Sequence, residues 1–177
     1  MTNNQVDVNQ FIVEMMEVST RGIKRTTEGL SDEQLYHQPT SDTNSIAWLI
    51  WHLSRWRDHV SAVVSGEPQV WVSEGWAQRW GLPNESTGIG DTPEQVAAFR
   101  PAREELLGYL DAAHRATVER VAKLTPQQLA QPTEDLPGDT HPAWQALRRM
   151  CADSLQHTGQ INYLRGMMSG YGWSQMP

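Results

Sequence analysis

The chain has 177 residues and a formal net charge of −7, from 14 Lys and Arg against 21 Asp and Glu. A chain of this length suits one domain whose core needs no disulfide or structural metal, so we expect a single domain over residues 1–177. The acidic balance, without any basic cluster, excludes a dedicated nucleic-acid-binding protein, because such proteins need positive charge for phosphate contacts.

The sequence predicts a cytoplasmic chain that does not enter a membrane. The longest stretches without a charged residue have 12 residues, and a bilayer span needs roughly 18 or more. The first ten residues lack a basic segment followed by an apolar one, so we expect no secretory signal. The single cysteine, Cys151, cannot form an internal disulfide and fits a reducing compartment.

Apolar residues at helical spacing dominate the first part of the chain, and strand-like alternation is scarce. The spacing predicts an amphipathic helix over residues 6–30. A loop follows, with one helical turn at residues 31–35. Asn44 or Ser45 is expected to cap a second helix, which runs to about Ser65.

The apolar residues of segment 66–91 follow neither helical nor strand spacing, so we expect a long irregular connection. The segment carries three of the eight tryptophans: Trp71, Trp76 and Trp80. Beyond it the pattern predicts a helix over residues 92–124 that bends or restarts at Pro101. A loop at residues 131–139 then precedes a last long helix over residues 142–170. Four long helices with one decorated connection predict an all-α four-helix bundle.

Three polar side chains fall on the apolar faces of these helices. At about 100° per residue, Asp153 and His157 lie one turn apart in the middle of the apolar stripe of the last helix. His52 lies along the edge of the apolar stripe of the second helix, whereas Arg57 and Asp58 point away from that stripe. Burying a carboxylate alone is costly, so Asp153 needs compensation.

Three kinds of compensation are open. His157 could be protonated and pair with Asp153, or an arginine from another helix could reach the carboxylate. Alternatively, a divalent metal could bind both residues, with His52 as the third ligand from a facing helix. Two imidazoles and one carboxylate suit a transition ion with an open coordination position. His59 is the rival for the third ligand.

The remaining candidate ligands fall at less constrained positions. We expect three histidines to be ordinary surface or loop residues: His37, His114 and His141. Cys151 falls off the face of the site, so we expect it to behave as a small buried hydrophobe.

Three separated segments resemble the DinB-like superfamily. The run NSIAWLIWHL at residues 44–53 resembles its second helix, and the pattern D-x-x-x-H-x-G-Q at residues 153–160 resembles its last helix. Segments within residues 69–94 resemble the actinobacterial branch. The resemblance implies an up-down-down-up four-helix bundle, with the Trp- and Gly-rich connection as a long crossover between the second and third helices.

The resemblance also implies the metal ligands His52, Asp153 and His157. The commonest version of the family has His where this chain has Asp153. A relative, mycothiol-dependent maleylpyruvate isomerase, has a carboxylate there, so the resemblance still implies a three-ligand site. Zn²⁺ is the first expectation, and a carboxylate ligand also tolerates Ni²⁺, Fe²⁺ or Mn²⁺.

The activity implied by the resemblance is thiol chemistry. Several relatives resemble transferases or isomerases that use a low-molecular-weight thiol, such as mycothiol or bacillithiol, on a small electrophile. A metal lowers the pKa of a bound thiol and so makes it a nucleophile near neutral pH. The alternatives are a non-catalytic metal-binding protein of the stress response and a bundle whose polar pair is structural. The family also implies a homodimer.

Further residues are candidates for contacts around the metal or for the walls of a pocket: Gln160, Trp56, Trp76 and Arg165. Three arginines are candidates for binding the carboxylates of a thiol cofactor: Arg79, Arg100 and Arg165. The connection over residues 66–91 is expected either to fold over the mouth of the bundle and wall a pocket beside the metal, or to cover an outer seam or a dimer interface.

Overall fold

The structure is a computed structural model that describes residues 7–170 and 172–173. The residue at which the first helix was predicted to begin, Val6, lies outside the described residues. The elements in chain order are α1 (Val8–Thr27), α2 (Asp32–Leu35), α3 (Ile46–Ser65), α4 (Val70–Ser73), α5 (Trp76–Trp80), α6 (Pro93–Ala98), α7 (Arg103–Ala122), α8 (Pro126–Ala130), β1 (Pro132–Leu136), β2 (Asp139–Pro142) and α9 (Ala143–Ser169).

The core lies between the four long helices α1, α3, α7 and α9. Each of α1 and α3 packs against both α7 and α9. One cluster of buried side chains surrounds Trp51 and Tyr109, and a second surrounds Met16 and Met150. None of the described helices combines the length and hydropathy needed for a membrane span. The protein is therefore mostly helical, as its apolar spacing predicts.

Local signals explain where the helices begin. The hydroxyl of Ser45 accepts a hydrogen bond from the backbone N–H of Trp48 at 3.2 Å and so caps α3. Thr92 caps α6, with Pro93 in the first helical position. The predicted interruption at Pro101 is a complete restart, since α6 ends at Ala98 and α7 begins at Arg103.

α3 is covered on almost every side. All but three of its 20 residues are buried, the exceptions being His59, Val63 and Ser65. The helices α7 and α9 pack along it, and α4, α8 and β1 add further contacts. Arg57 and Asp58 do point away from the apolar stripe, yet they are fully buried because these other segments cover that side. Their charges must therefore be satisfied inside the protein.

Two stretches predicted to be irregular contain regular structure. The connection between α3 and α6 holds the short helices α4 and α5, and the predicted loop at residues 131–139 forms most of a β-hairpin. In the hairpin, β1 pairs antiparallel with β2, with Thr133 opposite His141. Strands of five and four residues are too short to give a clear alternation in the sequence. The hairpin packs on α3 and α9 and so brings Asp135 and Leu136 next to the predicted site.

Candidate metal site

The three predicted ligands converge where α3 packs against α9. One ligand atom from each of His52, Asp153 and His157 lies within 4.8 Å of the other two. The Oδ1 atom of Asp153 is 3.6 Å from Nε2 of His52 and 3.2 Å from Nε2 of His157. His52 is buried, whereas the other two are half-buried, so the cluster faces solvent on the α9 side.

Hydrogen bonds on the far side of each imidazole determine which nitrogen is available. Nδ1 of His52 donates to the carbonyl oxygen of Thr87 at 2.5 Å, and Nδ1 of His157 donates to Oε1 of Gln160 at 2.7 Å. A carbonyl oxygen only accepts, so each Nδ1 carries the hydrogen and each Nε2 keeps its lone pair. Metal-binding histidines are typically held in this way.

The segment of residues 86–91, hereafter the covering segment, lies against this side of α3. The indole of Trp48 stacks on the ring of His52, with the centroids 4.9 Å apart, and its N–H donates to Asp91 at 2.9 Å. Nε of Arg55 donates to the carbonyl oxygen of Ser86 at 2.8 Å. Together with the hydrogen bond from His52, these contacts hold the covering segment at three points along α3.

Gly88 is the point of closest approach between the covering segment and α3. A Cβ atom there would lie 2.8 Å from the ring of Trp48 and 3.1 Å from Nδ1 of His52, and the residue has φ of +87°. No other residue type fits both the space and the backbone conformation. The backbone is therefore close enough for the carbonyl of Thr87 to orient His52.

The carboxylate of Asp153 is only partly satisfied. Burial by itself would raise its pKa, but the neighbouring imidazoles of His157 and His52 lower the pKa to about 2. Burial likewise lowers the pKa of His157, and Asp153 outweighs that effect and raises it. Oδ2 of Asp153 is buried and has no hydrogen-bond partner in the described part of the chain.

An arginine does approach the site but binds elsewhere. The guanidinium of Arg57 donates to the hydroxyls of Ser19, Thr20 and Ser154, at 2.5, 2.9 and 2.9 Å. Within the described residues, the ion pairs of Asp153 are those with the two imidazoles. Two Nε2 lone pairs and a carboxylate with a free oxygen fit a divalent metal, which would satisfy all three.

Two of the three predicted ligands, His52 and Asp153, border a cavity of about 300 Å³. Its lining residues are His52, Trp56, Ile89, Leu136, Arg148, Arg149, Ala152, Asp153 and Gln156. The covering segment contributes Ile89, and the hairpin contributes Leu136. A small molecule in this cavity would therefore lie directly beside two of the ligands.

A comparison with protein families matches residues 16–161 to the DinB superfamily. The chain belongs to the DinB superfamily. This superfamily is metal-binding, which agrees with the donor set described above.

The fold has a counterpart among solved structures. It is similar to the crystal structure of a conserved protein from Enterococcus faecalis, with a TM-score of 0.83 and 22% sequence identity. The match covers 94% of this chain and 99% of the other. At this identity the likeness concerns the fold alone. A comparison with curated proteins finds no match.

Of the other predicted site residues of this DinB-superfamily protein, two lie at the site and two lie away from it. Gln160 holds His157, and Trp56 lines the cavity. Trp76 instead packs against Trp80 and Tyr109 in the core, and the cavity beside the ligands does not include it. Arg165 is buried further along α9 and does not line that cavity either.

The Trp-rich connection does not wall the metal-site cavity with its tryptophans. Trp71 and Trp76 belong to the hydrophobic core, and Trp80 packs against it. A separate cavity of about 550 Å³ holds Trp80 together with two of the arginines proposed for anions, Arg79 and Arg100. From the connection, only the covering segment reaches the ligands.

The rival ligand and the other histidines make separate contacts. Nε2 of His59 donates to the carbonyl oxygen of Asp135 at 2.9 Å, so His59 is not part of the cluster. The expectation of an ordinary surface or loop residue holds for His37, which is exposed. It is wrong for His114, which contacts Glu17 and Thr20, and for His141, which pairs with Asp135. These contacts come from distant segments, which helical spacing does not reveal.

Cys151 is half-buried and packs against the core cluster around Met150. Burial raises the pKa of its thiol, with a smaller opposing effect from Arg57. The side chain is thus protonated near neutral pH and behaves as a small hydrophobe.

The sequence did not reveal several residues around the ligands. Thr87 contacts His52 through its backbone carbonyl, which every residue type has, so the sequence does not indicate this role. Gly88 was one of several glycines in an unpatterned stretch. Arg148 and Arg149 are adjacent basic residues whose spacing gives no sign that both line the cavity.

Proposed function

We propose that this protein is a divalent-metal-dependent enzyme that uses a low-molecular-weight thiol of the mycothiol type on a small electrophile. The observation that supports this most is the convergence of one ligand atom from each of two imidazoles and a carboxylate within 4.8 Å, beside a cavity. Three protein ligands leave a coordination position open. When bound there, a divalent ion lowers the pKa of a thiol and makes it nucleophilic near neutral pH.

The residues of the chain have distinct tasks in this proposal. Thr87 and Gln160 hold the two imidazoles in the tautomer that presents Nε2. Trp56, Ile89 and Leu136 form the apolar part of the cavity wall. Zn²⁺ is the ion we favour, and the carboxylate of Asp153 also suits Ni²⁺, Fe²⁺ or Mn²⁺.

Several finer features belong to the same proposal. The resemblance of residues 69–94 to the actinobacterial branch supports mycothiol as the thiol. We propose the up-down-down-up order for the four long helices, with residues 66–91 as the crossover. We also propose a homodimer that acts in the cytoplasm on a small-molecule substrate.

A non-catalytic metal-binding role in the stress response is the second candidate. One observation favours it: apart from the ligands His52 and Asp153, no described residue that lines the cavity is a carboxylate, histidine, lysine, cysteine or tyrosine. The cavity therefore holds no separate general acid or base.

Metal analysis followed by a thiol-consumption assay tests the proposal. Protein purified without a histidine tag should hold about one divalent ion per chain. It should then consume mycothiol in the presence of at least one electrophile from a panel, and His157→Ala should abolish that consumption. His37→Ala, which alters an exposed histidine, is the control. If calorimetry shows no binding of Zn²⁺ or Ni²⁺, the metal site is wrong. Metal binding without thiol consumption would favour the non-catalytic role.

A further inference from the structure

Two adjacent arginines on α9, Arg148 and Arg149, line the metal-site cavity. Within the described residues, Arg149 forms ion pairs and Arg148 does not. Nη1 of Arg149 is 2.6 Å from Asp139, and its Nη2 is 2.5 Å from the buried carboxylate of Asp135. The hydrogen bond that Arg149 donates to Asp139 is the largest cause of the raised pKa of Arg149. The charge of Arg149 is therefore matched by the hairpin, and this side chain forms part of the wall.

Arg148 has no such partner. It is exposed and makes no ion pair or hydrogen bond with any residue in the described part of the chain. Ala152 lies one turn further along α9 and also lines the cavity. A side chain this small leaves the space between Arg148 and the ligand Asp153 open. A free guanidinium thus borders the same cavity as the metal ligands.

Two further donors border the cavity. Trp56 is 6% exposed, and its indole N–H makes no hydrogen bond to the described residues. Gln156 is exposed on α9 and its amide is likewise unengaged. With Arg148, these groups offer one cation and two neutral donors. The one carboxylate among the lining residues, Asp153, contacts both imidazoles through Oδ1, and in the proposed site the metal would satisfy its free Oδ2.

We propose that this cavity binds a ligand that carries a carboxylate group, and that Arg148 is the residue that recognises it. The planar fork of a guanidinium matches the two oxygens of a carboxylate. The chain has a net charge of −7 and so repels anions in general, which makes a local free cation significant. The inference rests on the proposed function, because a carboxylate held by Arg148 would lie beside the thiol held by the metal.

A pair of small thiols tests this inference. Cobalt-loaded protein is titrated with 3-mercaptopropionate and with 3-mercapto-1-propanol, which differ in the carboxylate. The thiolate-to-cobalt absorption band reports binding of the sulfur. Wild-type protein should bind the acid about tenfold more tightly than the alcohol, as expected for one charged hydrogen-bonding pair.

Two variants identify the residue responsible. Arg148→Gln should reduce the affinity for the acid to that for the alcohol. Arg115→Gln, which removes the same charge from an exposed position on α7, should keep the tenfold preference. Equal affinities in wild-type protein overturn the inference. A preference that survives in Arg148→Gln also overturns it, because the acid would then simply chelate the metal.

The cobalt spectrum separates failure of the inference from failure of the proposed function. If no cobalt d–d bands appear, the metal site is wrong and both proposals fall. If those bands appear without a thiolate band, the thiol role is wrong. In that case, binding of the carboxylate of 3-mercaptopropionate is measured through the change that it causes in the cobalt d–d bands. A change caused by 3-mercaptopropionate and lost in Arg148→Gln supports the carboxylate site, and no change overturns it.

Discussion

Asp58 and Asp153 are both carboxylates that the fold takes out of solvent, and they differ in how many donors surround them. Oδ1 of Asp58 accepts from the backbone N–H of Val70 at 3.0 Å and from Arg120 at 2.9 Å. Its Oδ2 accepts from the N–H of Trp71 at 2.8 Å and from the hydroxyl of Tyr109 at 3.4 Å. Both oxygens are thus satisfied, and Asp58 joins α3 to the start of α4 and to α7.

Asp153 has a free oxygen and faces a cavity instead. Its Oδ1 is close to two imidazoles, while its Oδ2 has no partner in the described residues. A carboxylate surrounded by fixed donors would lose hydrogen bonds on binding a metal, whereas one with an unused oxygen gains a partner. The comparison indicates that Asp58 stabilises the fold and that Asp153 is available to a ligand. Four substitutions test this difference.

The largest effect is expected from Asp58→Asn, which should lower the free energy of unfolding by about 3 kcal/mol or more. The change removes the buried carboxylate that Arg120 and Arg55 face and leaves Arg120 with the more distant, half-exposed Glu67. It also replaces one accepting oxygen with an amide nitrogen. Urea denaturation measures the loss, with the exposed Asp42→Asn as control. Metal affinity of the folded fraction should be unchanged. A loss below about 1 kcal/mol would mean that Asp58 contributes little.

Removing a predicted metal ligand should weaken metal binding strongly and change the stability of the fold little, the opposite of the expectation for Asp58→Asn. His157→Ala should weaken metal affinity by more than about 100-fold, beyond the effect typical of residues that only support ligands. Isothermal titration calorimetry with Zn²⁺ measures the affinity. The unfolding free energy of the metal-free protein should change far less than in Asp58→Asn. Near-wild-type affinity would show that Asp153 and His157 form a structural pair.

The choice between two histidines of α3 gives the third prediction. His52→Ala should weaken metal binding about 100-fold more than His59→Ala, because His59 donates to the carbonyl of Asp135 and lies outside the cluster. The same calorimetric titration compares the two variants. The reverse order would make His59 the third ligand, about two turns further along α3, and would contradict the assignment of His52.

A smaller effect is expected from Gly88→Ala, which removes no ligand. The new Cβ would meet Trp48 and His52 and push the covering segment away, so that Thr87 no longer orients His52. Metal affinity should fall about tenfold, as for the loss of other contacts that orient a ligand. Gly90→Ala is the matched control, since Gly90 has φ of +85° and nothing within 4 Å of its added Cβ. Equal losses in both variants would attribute the effect to backbone strain.

The long helices and the three residues that converge could be predicted from the amino-acid sequence. Helical spacing and the caps at Ser45 and Thr92 depend only on residues nearby in the chain. They can therefore be recognised without knowing which segments pack together. Asp153 and His157 share a helix face through their separation by one turn, and His52 lies on an apolar face of the helix that packs against theirs. Local periodicity proposed this set but left a structural pair and His59 open, and the resemblance to the DinB-like superfamily is what favoured His52, Asp153 and His157 as a metal site.

The other groups around these residues could not be predicted, because contacts between distant segments place them. Trp76 entered the core, while Thr87, Gly88 and Arg148 came to the site, and none of these placements follows from a helical period. The burial of Asp58 could not be predicted either, because its position away from the apolar stripe of α3 indicated an exposed residue. Short segments without a repeating pattern cover that side of α3, and their positions depend on contacts between residues far apart in the chain.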